Sequence, residues 1–534
     1  MLINTILFTL YFYFILLSVL GYGAWFCKFF KIYSEKNSIG VVGLLGVFFL
    51  TAISYLTNIF FSHGVIHNMV IFLIGSLLFV DLLLKHKIYY KRELIKTLSV
   101  SSLLLIGLFM SKNNEDFGYY HFAYIVNLIE NKIQFGLANF NSGFGTQSSI
   151  FYVTSLLYLP IIKYYLFNLH ALLILIFANI FFLDNFFFKK KSINFIKILS
   201  FLSFIFTNLL FWRLAEYGTD RAGQILVFII IIILLTNSIK KFFSDNKIKI
   251  LLILTTYILT LKSYFFIYSF LYLFILIELN KKFNFFLKNI IFLFTLFLFL
   301  VLFLIVNIAN TGCVIYPLSL TCFSNLFWSV PIDTVKDLNQ WFELWSKAGA
   351  TPNYVVEDKS NYIKNFNWVN NWISNYFLTK VTDTLFSLTI IIAIFIFLFK
   401  SKKINKKNIT PKLISSYIFL IMAFIMWFNK HPDLRYGGYV LLALIFFIPT
   451  SFYLSKYNVV YKNTNFKVFW IVIIVFISFN IRNGIRIYSE FNRNDPYKFN
   501  NFPFFSQKYL ETNIDFNLLK EPEKYMGYNF YSKR

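Results

Sequence analysis

The chain has 534 residues, of which 58% are hydrophobic, 22% aromatic and only 14% charged. Repeated apolar runs of about 17 to 25 residues, each long enough to cross a bilayer, exclude a soluble globular domain and imply an all-α integral membrane protein. The net charge of +26 does not imply nucleic acid, because the basic residues lie in short loops between the apolar runs and not on one patch, and the positive-inside rule accounts for them.

In chain order the apolar runs place spans at 2–26, 39–62, 68–84 and 94–111. After a polar loop they continue at 169–187, 193–212, 222–238, 250–262, 264–280 and 289–309, and they end with 384–400, 413–429, 437–455 and 466–483. This makes about fourteen spans, with a re-entrant hairpin as the alternative at 250–280. The first span has no positively charged leader and no small-residue cleavage site before Cys27, so it reads as a retained helix and not a signal peptide.

Basic residues collect in alternate loops, at 28–36, 85–96, Lys189-Lys190-Lys191, 240–249, 281–288, 400–412 and 456–467. These loops are expected to be cytoplasmic. Both termini then face outward, and the outer face receives the loop 112–168, the turn 213–221, the segment 310–383, the turn 430–436 and the tail 484–534. The chain divides accordingly into an N-terminal four-helix membrane segment (1–111), a core (112–309), an outer loop (310–383), C-terminal spans (384–483) and the tail.

Carboxylates are scarce, and Glu115 and Asp116 emerge side by side from a span. A charge near membrane depth is costly and marks a site by default. Beyond them, Tyr120 to Asn131 place Phe122, Ile125, Leu128 and Ile129 on one side, which predicts a short amphipathic helix lying at the interface. A turn over Gly136–Gly143 and a second apolar stretch, 149–160, closed by Pro160, lead back to the membrane. Cys313 and Cys322, nine apart on the outer side, are expected to form a disulfide. His63 and His67 share a helix face but lack a Cys or carboxylate partner, so they do not read as a metal site.

The order acidic pair, surface helix, turn, second surface helix, span resembles the GT-C superfamily of polytopic glycosyltransferases. Their first large outer loop begins with a short acidic motif and carries two juxtamembrane helices. Glu216-Tyr217-Gly218-Thr219-Asp220-Arg221 is similar to the second acidic position that such enzymes carry at the head of a span. The likeness covers about residues 90–310, with four spans preceding the acidic loop where the family commonly has one. The Cys313–Cys322 loop and His431-Pro432-Asp433-Leu434-Arg435-Tyr436 also resemble a poorly characterised group of bacterial multi-span proteins.

The GT-C resemblance implies transfer of a sugar from a polyprenyl-phosphate donor to a glycan, lipid or protein acceptor. The reaction would take place at the outer face of a bacterial inner membrane, among its lipids, by a single inverting displacement. Asp116 is then the general base, with Glu115 as its neighbour or, together with Asp116, as ligand to a divalent cation such as Mg or Mn. Asp220 is a further catalytic candidate, with capping of the span 222–238 as the other reading.

Arg221, Lys262, His431 and Arg435 are candidate phosphate contacts, as is Arg213, and snorkelling to lipid headgroups explains these cations equally. Glu216 and His121 are placed in the same substrate pocket. Trp341 with Trp345, and Trp368 with Trp372, fit an interfacial aromatic belt, with sugar stacking as the alternative.

A flippase or transporter, or a polymerase of lipid-linked glycans, stays open. A flippase is expected to hide charges in mid-span, where few stand here, Lys262 being the candidate, while the acids cluster at outer ends, an asymmetry that favours outer-face chemistry over transit. No P-loop or haem-attachment pattern occurs, so the energy for transfer would come from the activated donor.

Overall fold

Hydrocarbon offers no partner for a backbone N–H or C=O, so apolar runs of this length fold as helices, which bond these groups within the segment. The computed structural model describes residues 2–32, 38–85, 87–109, 116–187, 195–214, 216, 218–236, 244–280, 283–350, 356–399, 411–456, 461–492, 523–525 and 528–530. Its regular structure is helical apart from one antiparallel hairpin, Glu523–Tyr525 with Tyr528–Phe530.

Among the described residues nine helices are long and apolar enough to cross a membrane: Thr5–Phe29, Ile39–Phe60, Val65–Lys85, Leu169–Phe187, Gly218–Thr236, Ile290–Thr311, Val369–Phe399, Leu413–Lys430 and Phe466–Ser489. Three shorter apolar helices, Phe195–Leu210, Ser263–Ile277 and Gly438–Leu454, accompany them. The expected spans 94–111 and 250–262 fall on Lys87–Leu104 and Asp245–Leu261. Charges in the first turns of both, Lys91 and Arg92 in one and Asp245, Lys247 and Lys249 in the other, shorten their apolar length.

Small residues let the first helices approach backbone to backbone, the usual device of membrane packing. Leu2–Phe29 packs against Ile39–Phe60 and Val65–Lys85. A Cβ on Gly21 would collide with the backbone of Gly75, and one on Gly23 with the carbonyl of Val42.

Two ends are defined by the loops. At one, Lys249 Nζ donates to Phe30 O (2.7 Å), Lys96 pairs with Asp184 (2.7 Å), and the Ser38 hydroxyl also meets Asp184. At the other, Ile133 N donates to Asn58 O (2.9 Å), Gly136 N to Ala309 O (2.8 Å), Trp372 Nε1 to Pro432 O (2.8 Å) and Arg486 Nη2 to Phe109 O (2.7 Å). The segments assigned to one face by alternating charge therefore meet at one end. The Lys189–Lys191 run and most of 400–412 lie outside the described residues.

Several expectations are corrected. Phe122–Glu130 and Ser149–Leu156 are not surface helices. All residues from Phe122 to Ile129 and from Ser149 to Leu156 are buried, because the two helices pack on one another and the second also packs on Ile39–Phe60. Two of their polar groups find partners inside the protein: Asn127 Nδ2 donates to Ala123 O (2.9 Å), and Asn310 Nδ2 to Tyr124 OH (2.8 Å). The loop 310–383 is shorter than expected, since the span beginning near 384 starts at Val369 through a wide turn, Ile373–Val381. Likewise the last helix, Tyr461–Phe491, runs past 483 into the expected tail.

Candidate functional site

Four residues singled out from the sequence meet at the second end, each delivered by a break or start of a helix. Asp116 stands at the head of the turn Phe117–His121, with its side chain 40% exposed. Asp220 occupies the first turn of Gly218–Thr236 and is 1% exposed. Lys262 ends Asp245–Leu261 in an extended conformation, which turns its side chain out of the helix toward Asp220. Arg435 sits in the turn Leu434–Tyr436, closed by Gly437 at φ 96°.

The pairing is a chain of alternating charge. Lys262 Nζ donates to Asp220 Oδ1, Arg435 Nε donates to Asp220 Oδ2 (2.9 Å), and Arg435 Nη2 reaches Asp116 Oδ2 (3.3 Å). The carboxylate of Asp220 is thus engaged by both cations rather than by helix N–H groups. Lys262, read from the sequence as a charge within a span, lies instead at a helix break in the site.

Arg435 is held rigidly from behind. Its N–H donates to Asp433 Oδ1 (2.8 Å), and its carbonyl accepts from Gln224 Nε2 (3.0 Å) and Tyr264 OH (3.0 Å). Tyr376 OH donates to Asp433 Oδ1 (2.6 Å), and Trp427 Nε1 to Asp433 O (2.8 Å). The Asp220 carboxylate pushes the guanidinium pKa further up, so Arg435 stays charged, whereas burial raises the Asp433 carboxyl.

Aromatic rings wall the cations. Arg435 lies 5.6 Å from the Trp345 ring, and Lys262 lies 5.8 Å from Tyr264 and 6.0 Å from Tyr436. These are cation–π distances.

The remaining expected residues divide. His121 is buried beside Tyr120 (4.3 Å between rings) and Phe151 (4.8 Å), and burial lowers its pKa to about 4. His431 bonds Ser346 Oγ through Nδ1 (3.2 Å) with its ring 5.8 Å from Tyr436. Its pKa is also lowered to about 4, chiefly by burial. Both are neutral wall residues near pH 7.

Glu216 is not brought to Asp116. It pairs with Arg213 and with Arg486 Nη1 (3.7 Å). Arg221 lies with its guanidinium 5.6 Å from the Phe211 ring. A cavity of about 40 Å³ is lined by His121, His170, Glu216 and Thr219 among others. That volume suits a few waters and not a sugar.

Glu115 lies outside the described residues. Among the described residues no three His, Cys, Asp or Glu side chains group as metal ligands. The described partner of Asp116 is a guanidinium, which fits an ion pair better than a divalent cation. Trp368 is fully buried and packs against Trp372 and Phe428, so this pair braces the 431–436 turn and offers no stacking face. Cys313 and Cys322 are disulfide-bonded, and Cys27 is a buried free thiol.

Gln224, Asp433, Tyr264, Tyr376 and Arg486 were not identified from the sequence. For Arg486 a signal exists: Arg482, Asn483 and Arg486 share one face of the last helix at helical spacing, and they bond Leu209 O, Trp212 O and Phe109 O.

Fold and cluster together define a polytopic all-helical membrane protein with a partly buried acid–cation cluster at one end. Over residues 5–442 the chain matches, and belongs to, the family described as a domain of unknown function, DUF8201. The match contains Asp116, Asp220, Lys262 and Arg435 and ends before the last helix. No curated protein and no solved structure matches the chain.

Proposed function

We propose that the chain is a glycosyltransferase that uses a polyprenyl-phosphate-linked sugar at the outer face of a bacterial inner membrane. About fourteen crossings are completed by the shorter helices, in a GT-C-like arrangement. The observation that carries this reading is the shared Arg435. It links the half-exposed carboxylate of Asp116 to the buried Asp220–Lys262 pair, and so puts a base and two cations in one place.

Asp116 takes the proton from the acceptor hydroxyl, whose oxygen then attacks the anomeric carbon. The bond from that carbon to the phosphate oxygen breaks, and the phosphate leaves with the electron pair. Arg435 and Lys262, each with donors beyond those given to the carboxylates, hold it. Asp220, buried and doubly paired, positions the cations and is not the base.

The experiment is transfer of labelled sugar by the purified protein from a panel of polyprenyl-phosphate donors to a lipid-extract acceptor pool, run beside transbilayer movement of the same donors in vesicles. Transfer with any donor supports the reading. Movement without transfer replaces it with a flippase, and elongation of a lipid-linked glycan places the same site in a polymerase.

A further inference from the structure

The disulfide-closed hairpin after Ile290–Thr311 carries none of the chemistry above, yet its composition is unusual for a loop at a polar end. From Asn289 to Ile332 the chain contains no Asp, Glu, Lys or Arg. Its apolar side chains are also turned outward: Leu320 is 93% exposed and Phe327 82%, with Leu318 and Phe323 exposed beside them. An uncharged loop with four outward large apolar residues is poorly suited to water.

Its backbone, by contrast, is internally answered, as hydrocarbon or headgroup contact requires. Val314 N donates to Thr321 O (3.0 Å), Phe323 N to Gly312 O (2.9 Å) and Val330 N to Thr311 O (3.0 Å). The Thr321 hydroxyl serves both Ile315 N (3.1 Å) and Ile315 O (3.0 Å). Trp328 fastens the hairpin to the span by donating from Nε1 to Ile308 O (2.9 Å), and its ring packs on Phe135 (4.9 Å) and Phe327 (4.8 Å). A tryptophan with an apolar body and a bonded N–H is the residue type that seats at the headgroup level.

The lipid-facing side chains of the preceding span, which include Phe297, Leu298 and Ile305, run into this hairpin without an intervening charge. We propose that the Cys313–Cys322 hairpin is a membrane anchor. Leu318, Leu320, Phe323 and Phe327 enter the acyl–headgroup boundary of the leaflet next to the site and fix the height of the Asp116–Arg435 cluster above it. The inference rests on the membrane-spanning helices and not on the glycosyl-transfer reading.

The test places photoreactive benzoylphenylalanine at Leu320, at Phe327 and, as control, at Asp333, whose side chain is 92% exposed just past the uncharged stretch. The full chain is reconstituted in phosphatidylethanolamine–phosphatidylglycerol nanodiscs, and adducts are identified by mass spectrometry after illumination. Both test positions are exposed, so the label is expected to leave folding and the disulfide intact, which elution profile and thiol titration check. Lipid adducts at 320 and 327 and none at 333 are expected. Equal lipid labelling at all three positions, absence of lipid adducts at 320 and 327, or adducts to a second copy of the chain would each overturn the anchor.

Discussion

Replacing Asp220 by Asn removes the carboxylate shared by Lys262 and Arg435 and leaves two cations in one pocket. Breaking a buried ion pair from one side costs about 3 to 5 kcal/mol, because the partner's charge stays desolvated. Here Lys262 and Arg435 are 16% and 32% exposed, and Arg435 keeps Asp116 at 3.3 Å. The lower end, about 3 kcal/mol, is therefore expected.

The structure also predicts the coupling. Once Asp220 is gone, Lys262 has lost its partner, so Lys262→Met on top of Asp220→Asn adds little. The double variant should be less destabilised than the sum of the singles by about 1 to 2 kcal/mol, within the range for groups in one network. The assay is unfolding by SDS titration in mixed micelles, for the wild type, the two singles and the double. A loss below about 1 kcal/mol for Asp220→Asn, typical of an exposed pair, together with additive singles, would refute the buried three-group geometry.

Other outcomes follow from the same contacts. His121 and His431 have folded pKa values of about 4, below the unfolded 6.5. Between those values the unfolded chain binds more protons, so stability is complete above about pH 6.5 and falls on acidification toward pH 4, by up to about 1.4 kcal/mol per unit for each group. His121→Phe should flatten that slope in acid-unfolding curves, and an unchanged slope contradicts it. Gly312 ends Ile290–Thr311 at φ 79°, and an added Cβ would lie 2.6 Å from Ser329 Cβ. Gly312→Ala should therefore cost about 1 to 3 kcal/mol in the same SDS titration. The loop closed by Cys313 and Cys322 has a sequence separation of 9, so Cys313→Ser with Cys322→Ser should lower unfolding free energy by about 2 to 3 kcal/mol, and no change would mean that the span alone holds the hairpin.

Much of the site was legible because charge is expensive near a membrane. Asp116, Asp220, Lys262 and Arg435 each stand out in apolar surroundings, and alternating basic loops assign their segments to one face. The pairing was not legible, since Arg435 and Asp220 are 215 residues apart and only tertiary packing brings them together. The two buried helices were misread because a polar stripe looks the same whether it meets water or an internal partner. Asn127 and His121 on Phe122–Glu130 and its preceding turn meet the protein. Gln224 was hidden for the opposite reason. It is one polar residue in an apolar run, and its value as a clamp on Arg435 O and Val440 N appears only when the 431–440 turn lies against it.

The central claim is that Asp116 is the base beside a phosphate-holding Arg435, and single-turnover transfer with bound donor tests it most directly. The protein is loaded with a labelled polyprenyl-phosphate sugar that the wild type transfers, and the rate is compared among wild type, Asp116→Asn and Arg435→Lys, with donor affinity measured in parallel. The account predicts that Asp116→Asn retains donor binding but transfers about 10² to 10⁴ times more slowly, the usual contribution of a general base, while Arg435→Lys weakens binding. An Asp116→Asn protein that transfers at the wild-type rate would contradict it.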